Sequence, residues 1–196
     1  MLENSLLAVP AKQALPLPGG DASPPAGQAV QAWMGLGANL GDRGAALRQA
    51  LQQLHACPGV AVQAVSSLYA STPVDSDGPD YLNAVAQLAT THSALALLRL
   101  LQQQELAAGR ERPYRNAPRT LDLDLLLYGD AQLDLPDLVV PHPRMWQRAF
   151  VLAPLQELRP DWVSDAQLQP LMAQGVQRSD GPAWAGVFAE SGSHHP

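Results

Sequence analysis

Asp122 and Asp124 are the two side chains whose type and spacing most clearly point to chemistry. They lie in the run Arg115-Asn116-Ala117-Pro118-Arg119-Thr120-Leu121-Asp122-Leu123-Asp124-Leu125-Leu126-Leu127. On a β-strand alternate residues share a face, so the two carboxylates project together while Leu121, Leu123 and Leu125 face a core. Carboxylates held side by side repel; a divalent cation relieves the repulsion, and hard oxygen ligands of this kind suit Mg²⁺. Arg115 and Arg119, just upstream, add guanidinium forks that match phosphate oxygens. The chemistry suggested is metal-assisted handling of a phosphorylated ligand. A strand with one wet face produces the same alternation without any metal, and these residues alone leave both readings open.

The cations are concentrated where such a ligand would need them. The 196-residue chain has a net charge of −6, yet six of its eleven arginines fall between Arg110 and Arg148, and its one lysine is Lys12. Arg110, Arg112, Arg115 and Arg119 place four cations on a single ten-residue stretch. An acidic protein with a local arginine cluster reads as a site for a small polyanion, whereas general nucleic-acid binding needs a broad basic surface. No apolar segment approaches the length of a transmembrane helix, so neither nucleic acid nor a membrane is expected as a partner. Cys57 is the single cysteine. It excludes an intramolecular disulfide, fits a reducing, cytoplasmic compartment, and has nothing nearby to activate its thiol.

The elements that must hold these residues lie between two irregular ends. Residues 1–30 are rich in Pro, Gly and Ala, including Pro10, Pro16, Pro18, Gly19, Gly20, Pro24, Pro25 and Gly27, and are expected to form a disordered extension. They lack the basic start, long apolar run and cleavage site of a secretory signal. Residues 179–196 are rich in Gly, Ser and Pro and are expected to be a flexible tail, in which His194 and His195 read as inert. Residues 31–178 then make one domain, and with 46% hydrophobic residues in the chain it has the means to build a core.

Within that domain, Ala32 to Leu36 reads as a strand closed by the turn-rich Gly37-Ala38-Asn39-Leu40-Gly41-Asp42. A helix follows from Arg43 to Ala56, with Leu47, Leu51 and Leu54 on one face. Val60 to Tyr69 and Tyr81 to Ala89 are strands. Ser93 can cap a second helix that runs to Ala108 on an apolar stripe of Leu97, Leu98 and Leu101, and Gly109 ends it. The Asp122/Asp124 strand comes next, and a further helix spans Met145 to Leu158. The order strand, helix, strand, strand, helix, strand is the ferredoxin-like β-α-β-β-α-β arrangement. This α+β fold has an antiparallel sheet with helices on one face, here with C-terminal additions. It hosts many unrelated activities, so the fold alone does not give the function.

The pattern Arg115-x-Ala117-Pro118-Arg119-x-x-Asp122-Leu123-Asp124-Leu125-Leu126 resembles the signature of the 6-hydroxymethyl-7,8-dihydropterin pyrophosphokinase family. The resemblance extends from Trp33 to about Asp161. Gly35-Leu36-Gly37-Ala38-Asn39-Leu40-Gly41-Asp42 is similar to the family's first strand and glycine loop. Thr72-Pro73-Val74 and Asp80-Tyr81-Leu82-Asn83 resemble its pterin-holding segments. Pro141-His142-Pro143-Arg144 and Arg148-Ala149-Phe150 resemble its last block.

What the resemblance implies is ATP-dependent pyrophosphoryl transfer to the hydroxymethyl dihydropterin in folate biosynthesis, with AMP as the other product. It assigns two Mg²⁺ ions to Asp122 and Asp124, which act with Arg110 and Arg119. The pterin falls to Thr72, Pro73, Val74, Tyr81, Asn83 and Phe150. The nucleotide falls to Gln102, Glu105, Arg112, Arg115, Arg119, Leu125, His142 and Arg148. A monomer acting on small molecules is expected. Asn116 stands where some members carry a tryptophan, and Pro143 where some carry a tyrosine, so one stacking contact and one nucleotide contact differ. Taken singly, Asn83 also reads as a strand-edge polar residue, Gln102 and Glu105 as a solvated helix face, and His142 as a structural loop histidine. Two other functions fit parts of the pattern. One is a two-metal nucleotidyltransferase, which would release pyrophosphate; the other is a non-catalytic nucleotide- or pterin-binding module.

Overall fold

A computed structural model of the chain describes residues 22–73, 78–109 and 120–188. Strand β1 (Val30–Ala38) opens the fold, followed by α1 (Arg43–Ala56), β2 (Val60–Val65), β3 (Leu68–Ser71), β4 (Tyr81–Thr90), α2 (Ala94–Ala107) and β5 (Asp122–Tyr128). A small hairpin, β6 (Leu133–Leu135) and β7 (Leu138–Val140), leads to a 3₁₀ turn (Met145–Gln147) and α3 (Ala149–Leu158). The short helix α4 (Asp165–Leu168), strand β8 (Gln177–Asp180) and a 3₁₀ segment (Pro182–Phe188) complete the described chain. Among the described residues no helix is long and apolar enough to cross a membrane.

The sheet runs β5-β1-β4-β3-β8, with β2 also paired to β4, and every pairing is antiparallel. The ferredoxin-like order read from the sequence is therefore the observed one. Both helices begin at a side-chain cap: that of Asp42 accepts from the Ala45 N–H, and that of Ser93, the cap read from the sequence, from the Ala96 N–H. Leu47, Leu51 and Leu54 of α1 and Leu97 and Leu101 of α2 are fully buried against Ala32, Met34, Leu36 and Ala38 of β1. The other sheet face carries Trp33, Val85 and Leu126, and α3 packs on these through Val151, Leu152 and Leu155. Helix α3 packs on only part of that face, and the part beyond α3 bears the residues of chemical interest.

Four features differ from the sequence reading, each through a partner distant in the chain. The strand expected from Val60 to Tyr69 is two strands, broken at Ser66-Ser67. There the Ser66 hydroxyl accepts from the Val85 N–H, and the Ser66 carbonyl accepts from the indole N–H of Trp184 at 2.9 Å. The helix expected from Met145 is interrupted at Arg148, whose backbone is extended (φ −117°, ψ 110°), and the Gln174 side chain accepts from the Ala149 N–H. Residues 22–29 are described ahead of β1, and Ala22 packs on the core, whereas disorder was expected up to residue 30.

The fourth difference is the C-terminal end, expected to be a flexible tail from residue 179. It is instead part of the fold as far as Phe188: β8 pairs with β3, and Trp184, Ala185 and Phe188 enter the main core. Arg48 donates to the Trp184 carbonyl, and the Phe188 ring lies 5.1 Å from His55 of α1. A polar clamp holds α3 to the same region. Glu157 accepts from the Ser67 N–H, the Ser67 hydroxyl and the Tyr69 hydroxyl, and Arg178 of β8 donates to Ser67. Burial, with the hydrogen bond and charge of Glu157, pushes the Tyr69 phenol well above its usual range, so it stays a donor.

Removing the Trp184 side chain should therefore be felt as the loss of a core residue. Trp184→Ala is expected to lower the unfolding free energy by about 3–5 kcal/mol in urea denaturation. A loss below roughly 1 kcal/mol would mean that this segment lies outside the cooperative core.

Candidate active site

The part of the sheet face beyond α3 is organised by register. On β1, Gly37 is opposite Asn83 of β4 on one side and Asp122 of β5 on the other, and Gly35 is likewise flanked by Val85 and Asp124. Asp122 and Asn83 thus stand on either side of a glycine, separated by two strand spacings, or about 10 Å. A Cβ at Gly37 would lie 3.5 Å from Asn83 Oδ1, 3.9 Å from Asp122 Cβ and 3.9 Å from Tyr81 Cδ1. Three side chains of different chemistry converge over a floor that only glycine leaves open.

Asn83 is held in one orientation. Its amide nitrogen donates to the Ser71 hydroxyl at 2.9 Å and to the Tyr69 carbonyl at 3.2 Å. A carbonyl only accepts, so the nitrogen must face it, and Oδ1 is the atom turned toward Gly37. A free amide side chain has both donors and an acceptor to offer a flat heterocycle. In the fold the donor side is engaged by protein and the acceptor faces the site. Ser71, buried at the end of β3, was missed; its only signal is the pairing opposite Tyr81, which needs the sheet to be known. Two further bonds, Asn39 to the Pro79 carbonyl and Arg43 to the Asp80 carbonyl, tie the loop after β1 to the segment leading into Tyr81.

The acidic side is arranged with equal economy. Asp122 and Asp124 are half-buried on the same face of β5, and Leu121, Leu123 and Leu125 enter the core, as the alternation requires. The Leu123 N–H, between the two aspartates, donates to Glu105 Oε1 at 2.8 Å. Glu105 is only 2% exposed, whereas Gln102 is exposed, so the pair expected to share one face of α2 is divided: Glu105 steadies β5 and Gln102 looks outward. Leu125, assigned by resemblance to the nucleotide, has its side chain in the core on the opposite face, which leaves its backbone as the only part able to reach a ligand there.

Arg148 reaches across from the head of α3. Its guanidinium lies 3.5 Å from Asp124 Oδ2, and its Cζ is 5.4 Å from the centroid of the half-buried Phe150 ring. His142 is tied to β5 by its backbone N–H, which donates to the Leu126 carbonyl. Burial holds the His142 imidazole below its usual range; Asp124 pulls it up, and Arg148 and Arg144 push it further down. Its Nδ1 accepts from the Arg144 N–H, so the neutral ring carries its proton on Nε2, a donor. Thr72 is exposed and Pro73 half-buried just beyond β3. Val74, Arg110, Arg112, Arg115, Asn116 and Arg119 lie outside the described residues.

Among the described residues no group of three or more His, Cys, Asp or Glu side chains could hold a metal ion by itself. Two carboxylates on one face nevertheless fit Mg²⁺, which takes one or two protein carboxylates and completes its shell with substrate oxygens and water.

The model of the 7,8-dihydro-6-hydroxymethylpterin-pyrophosphokinase (HPPK) family matches residues 33–160, which contain every described residue of this face. The chain belongs to the HPPK family. It is 45% identical over 128 residues to the 2-amino-4-hydroxy-6-hydroxymethyldihydropteridine pyrophosphokinase of Bacillus subtilis, an alignment spanning 65% of this chain and 77% of that one. The enzyme of the same name from Pseudomonas aeruginosa is 47% identical over 130 residues, spanning 66% of this chain and 80% of its own. That of Methylorubrum extorquens is 39% identical over 155 residues, 76% of this chain and 98% of its own. A crystal structure of Plasmodium falciparum HPPK-DHPS with pterin and p-hydroxybenzoate superimposes with a TM-score of 0.59 at 12% identity. That likeness covers 77% of this chain and 47% of the Plasmodium chain, less than half its length, and concerns the fold.

In this HPPK family member, the Gly37 floor gives a direct test of where a ligand sits. Gly37→Ala places its Cβ at ordinary van der Waals distances from protein atoms, so the melting temperature should stay within a few degrees of the parent. If the floor is a binding surface, the added methyl should weaken pterin binding about 5- to 100-fold, measured by fluorescence titration. Unchanged affinity would exclude Gly37 from the ligand surface.

Proposed function

We propose that this protein transfers a pyrophosphoryl group from ATP to the hydroxymethyl oxygen of 6-hydroxymethyl-7,8-dihydropterin, in folate biosynthesis. The bond formed joins that oxygen to the β-phosphorus. The bond broken joins the β-phosphorus to the oxygen bridging it to the α-phosphate, so AMP leaves and the hydroxyl proton passes to solvent. The observation that carries this reading is the row Asp122, Gly37, Asn83 across three neighbouring strands. It sets a carboxylate suited to a metal about 10 Å from an acceptor suited to a ring N–H. A bicyclic heterocycle with a one-carbon arm spans such a row with its arm at the acidic end.

Each side chain then has a task that its chemistry supports. Asn83 Oδ1 accepts from a ring N–H, and Tyr81 and Phe150 supply aromatic faces for the ring. Asp122 and Asp124 hold Mg²⁺, two ions in this reading, which when bound would acidify the hydroxymethyl oxygen and neutralise the triphosphate. Glu105 keeps the aspartate strand in place through the Leu123 N–H. The Nε2–H of His142 and the guanidinium of Arg148 are donors available to phosphate oxygens. Arg110, Arg112, Arg115 and Arg119 supply the further cations that a triphosphate and its charge-separating transition state require. Positioning and electrostatics do most of the work, and no described side chain need act as a general base. The same reading takes the protein as a cytoplasmic monomer, in keeping with its unpaired, partly buried Cys57.

Incubation with Mg²⁺, ATP and the hydroxymethyl dihydropterin should yield AMP and the pterin diphosphate. Release of inorganic pyrophosphate would point to nucleotidyl transfer, and binding without product to a non-catalytic module. Asp122→Ala should lower kcat by about 10²–10³-fold or more while leaving pterin affinity within about threefold of the parent. Near-normal AMP formation by that variant would remove Asp122 from the metal site.

A further inference from the structure

Arg148 touches the carboxylate that the proposed function gives to a metal. Its guanidinium is 3.5 Å from Asp124 Oδ2, where a cation bound by that oxygen would compete with it directly. A guanidinium cannot shed its proton at any physiological pH, so the competition is permanent for as long as the arginine stays there. The pair is also partly open to solvent, with the Arg148 side chain 20% and the Asp124 side chain 40% exposed, so it is the kind of ion pair that exchanges partners readily. Arg148 is aimed there by its backbone: the chain is extended between the 3₁₀ turn and α3, and the Phe150 ring of the same helix supports the guanidinium from 5.4 Å. The long arginine stem can swing from Asp124 to a denser anion without any change in α3.

We propose that Arg148 is a displaceable counter-ion of the aspartate pair. In the ligand-free protein it neutralises Asp124 and holds down the affinity for free divalent metal; a triphosphate draws the guanidinium away and so frees the carboxylate. Metal is then taken up together with the nucleotide, and the site resists filling by metal alone. The inference rests on Asp122 and Asp124 being metal ligands, and it assigns Arg148 a role opposite in sign to that of a group which only binds phosphate.

The test is Mn²⁺ binding, followed by electron paramagnetic resonance of the free ion up to millimolar concentration, without nucleotide and with a non-hydrolysable ATP analogue. Without nucleotide, Arg148→Gln should bind Mn²⁺ about two- to fivefold more tightly than the parent, the range expected for a solvent-exposed ion pair. With the analogue that advantage should vanish or reverse. Arg148→Lys keeps the charge and should stay near the parent. Arg159→Gln removes an equal charge paired to Asp161, away from the site, and should change nothing. The gain should also disappear when Asp124→Asn is combined with Arg148→Gln. The counter-ion role is overturned if Arg148→Gln binds Mn²⁺ no more tightly than the parent, or if the gain persists without Asp124. If Asp124→Asn and Asp122→Asn leave nucleotide-dependent Mn²⁺ binding intact, the metal assignment itself fails; if they abolish it and Arg148→Gln still gives no gain, only the counter-ion role fails.

Discussion

The register of β1 between β4 and β5 is the constraint on which the site depends. Side chains alternate with a period of two, so a slip of one residue in either pairing would turn Asp122 and Asp124, or Tyr81 and Asn83, into the helix-packed core. That slip is prevented by burial on both faces. Ala32, Met34, Leu36 and Ala38 must meet α1 and α2, and Trp33 must meet α3. Between Trp33 and Met34 the pairing with β5 shifts, and Leu126, on the strand opposite, is left to pack into the α3 layer. Gly35 and Gly37 occupy the same face as Trp33, and a Cβ at Gly35 would rest on Leu126 at 3.6 Å, so the apolar layer ends where the Gly37 floor begins.

Charge is the second constraint. An acidic pair on an edge strand raises the cost of ordering that strand, and its surroundings offset this in two ways. The Leu123 N–H is satisfied by the buried Glu105 carboxylate of α2, which fixes the strand between the two aspartates. Arg148 supplies positive charge from the opposite layer. The acidic site is thus bracketed by α2 on one sheet face and the head of α3 on the other. Helix α3 is in turn held by the Glu157, Ser67, Tyr69 and Arg178 clamp, which reaches to the far edge of the sheet. The site therefore borrows its rigidity from parts of the chain that carry no chemistry.

Much of this was legible without coordinates because the relevant signals are local. Capped, periodic helices at Arg43–Ala56 and Ala94–Ala107 follow from side-chain spacing and from Asp42 and Ser93, and the facing of Asp122 and Asp124 follows from strand alternation. The readings that failed all turn on long-range partners. The Ser66–Ser67 break depends on Trp184, 118 residues away. The ordered end of the chain hides three core residues in a stretch whose composition suggests a tail. The division of Gln102 from Glu105 follows from the exact rotation of α2 over β5, to which a spacing of three residues is blind.

The sequence by itself determined the fold class, the acidic strand with its arginine-rich approach, and the family to which these belong, because each is written in residue order or in contiguous pattern. Tertiary structure alone decided that Asn83 turns its oxygen toward Gly37, that Ser71 orients it, that Gly37 is the floor between Asn83 and Asp122, and that Arg148 lies against Asp124. Those are relations between side chains on different strands and layers. Only the packing that sets strand register and helix rotation brings them within a few ångströms of one another.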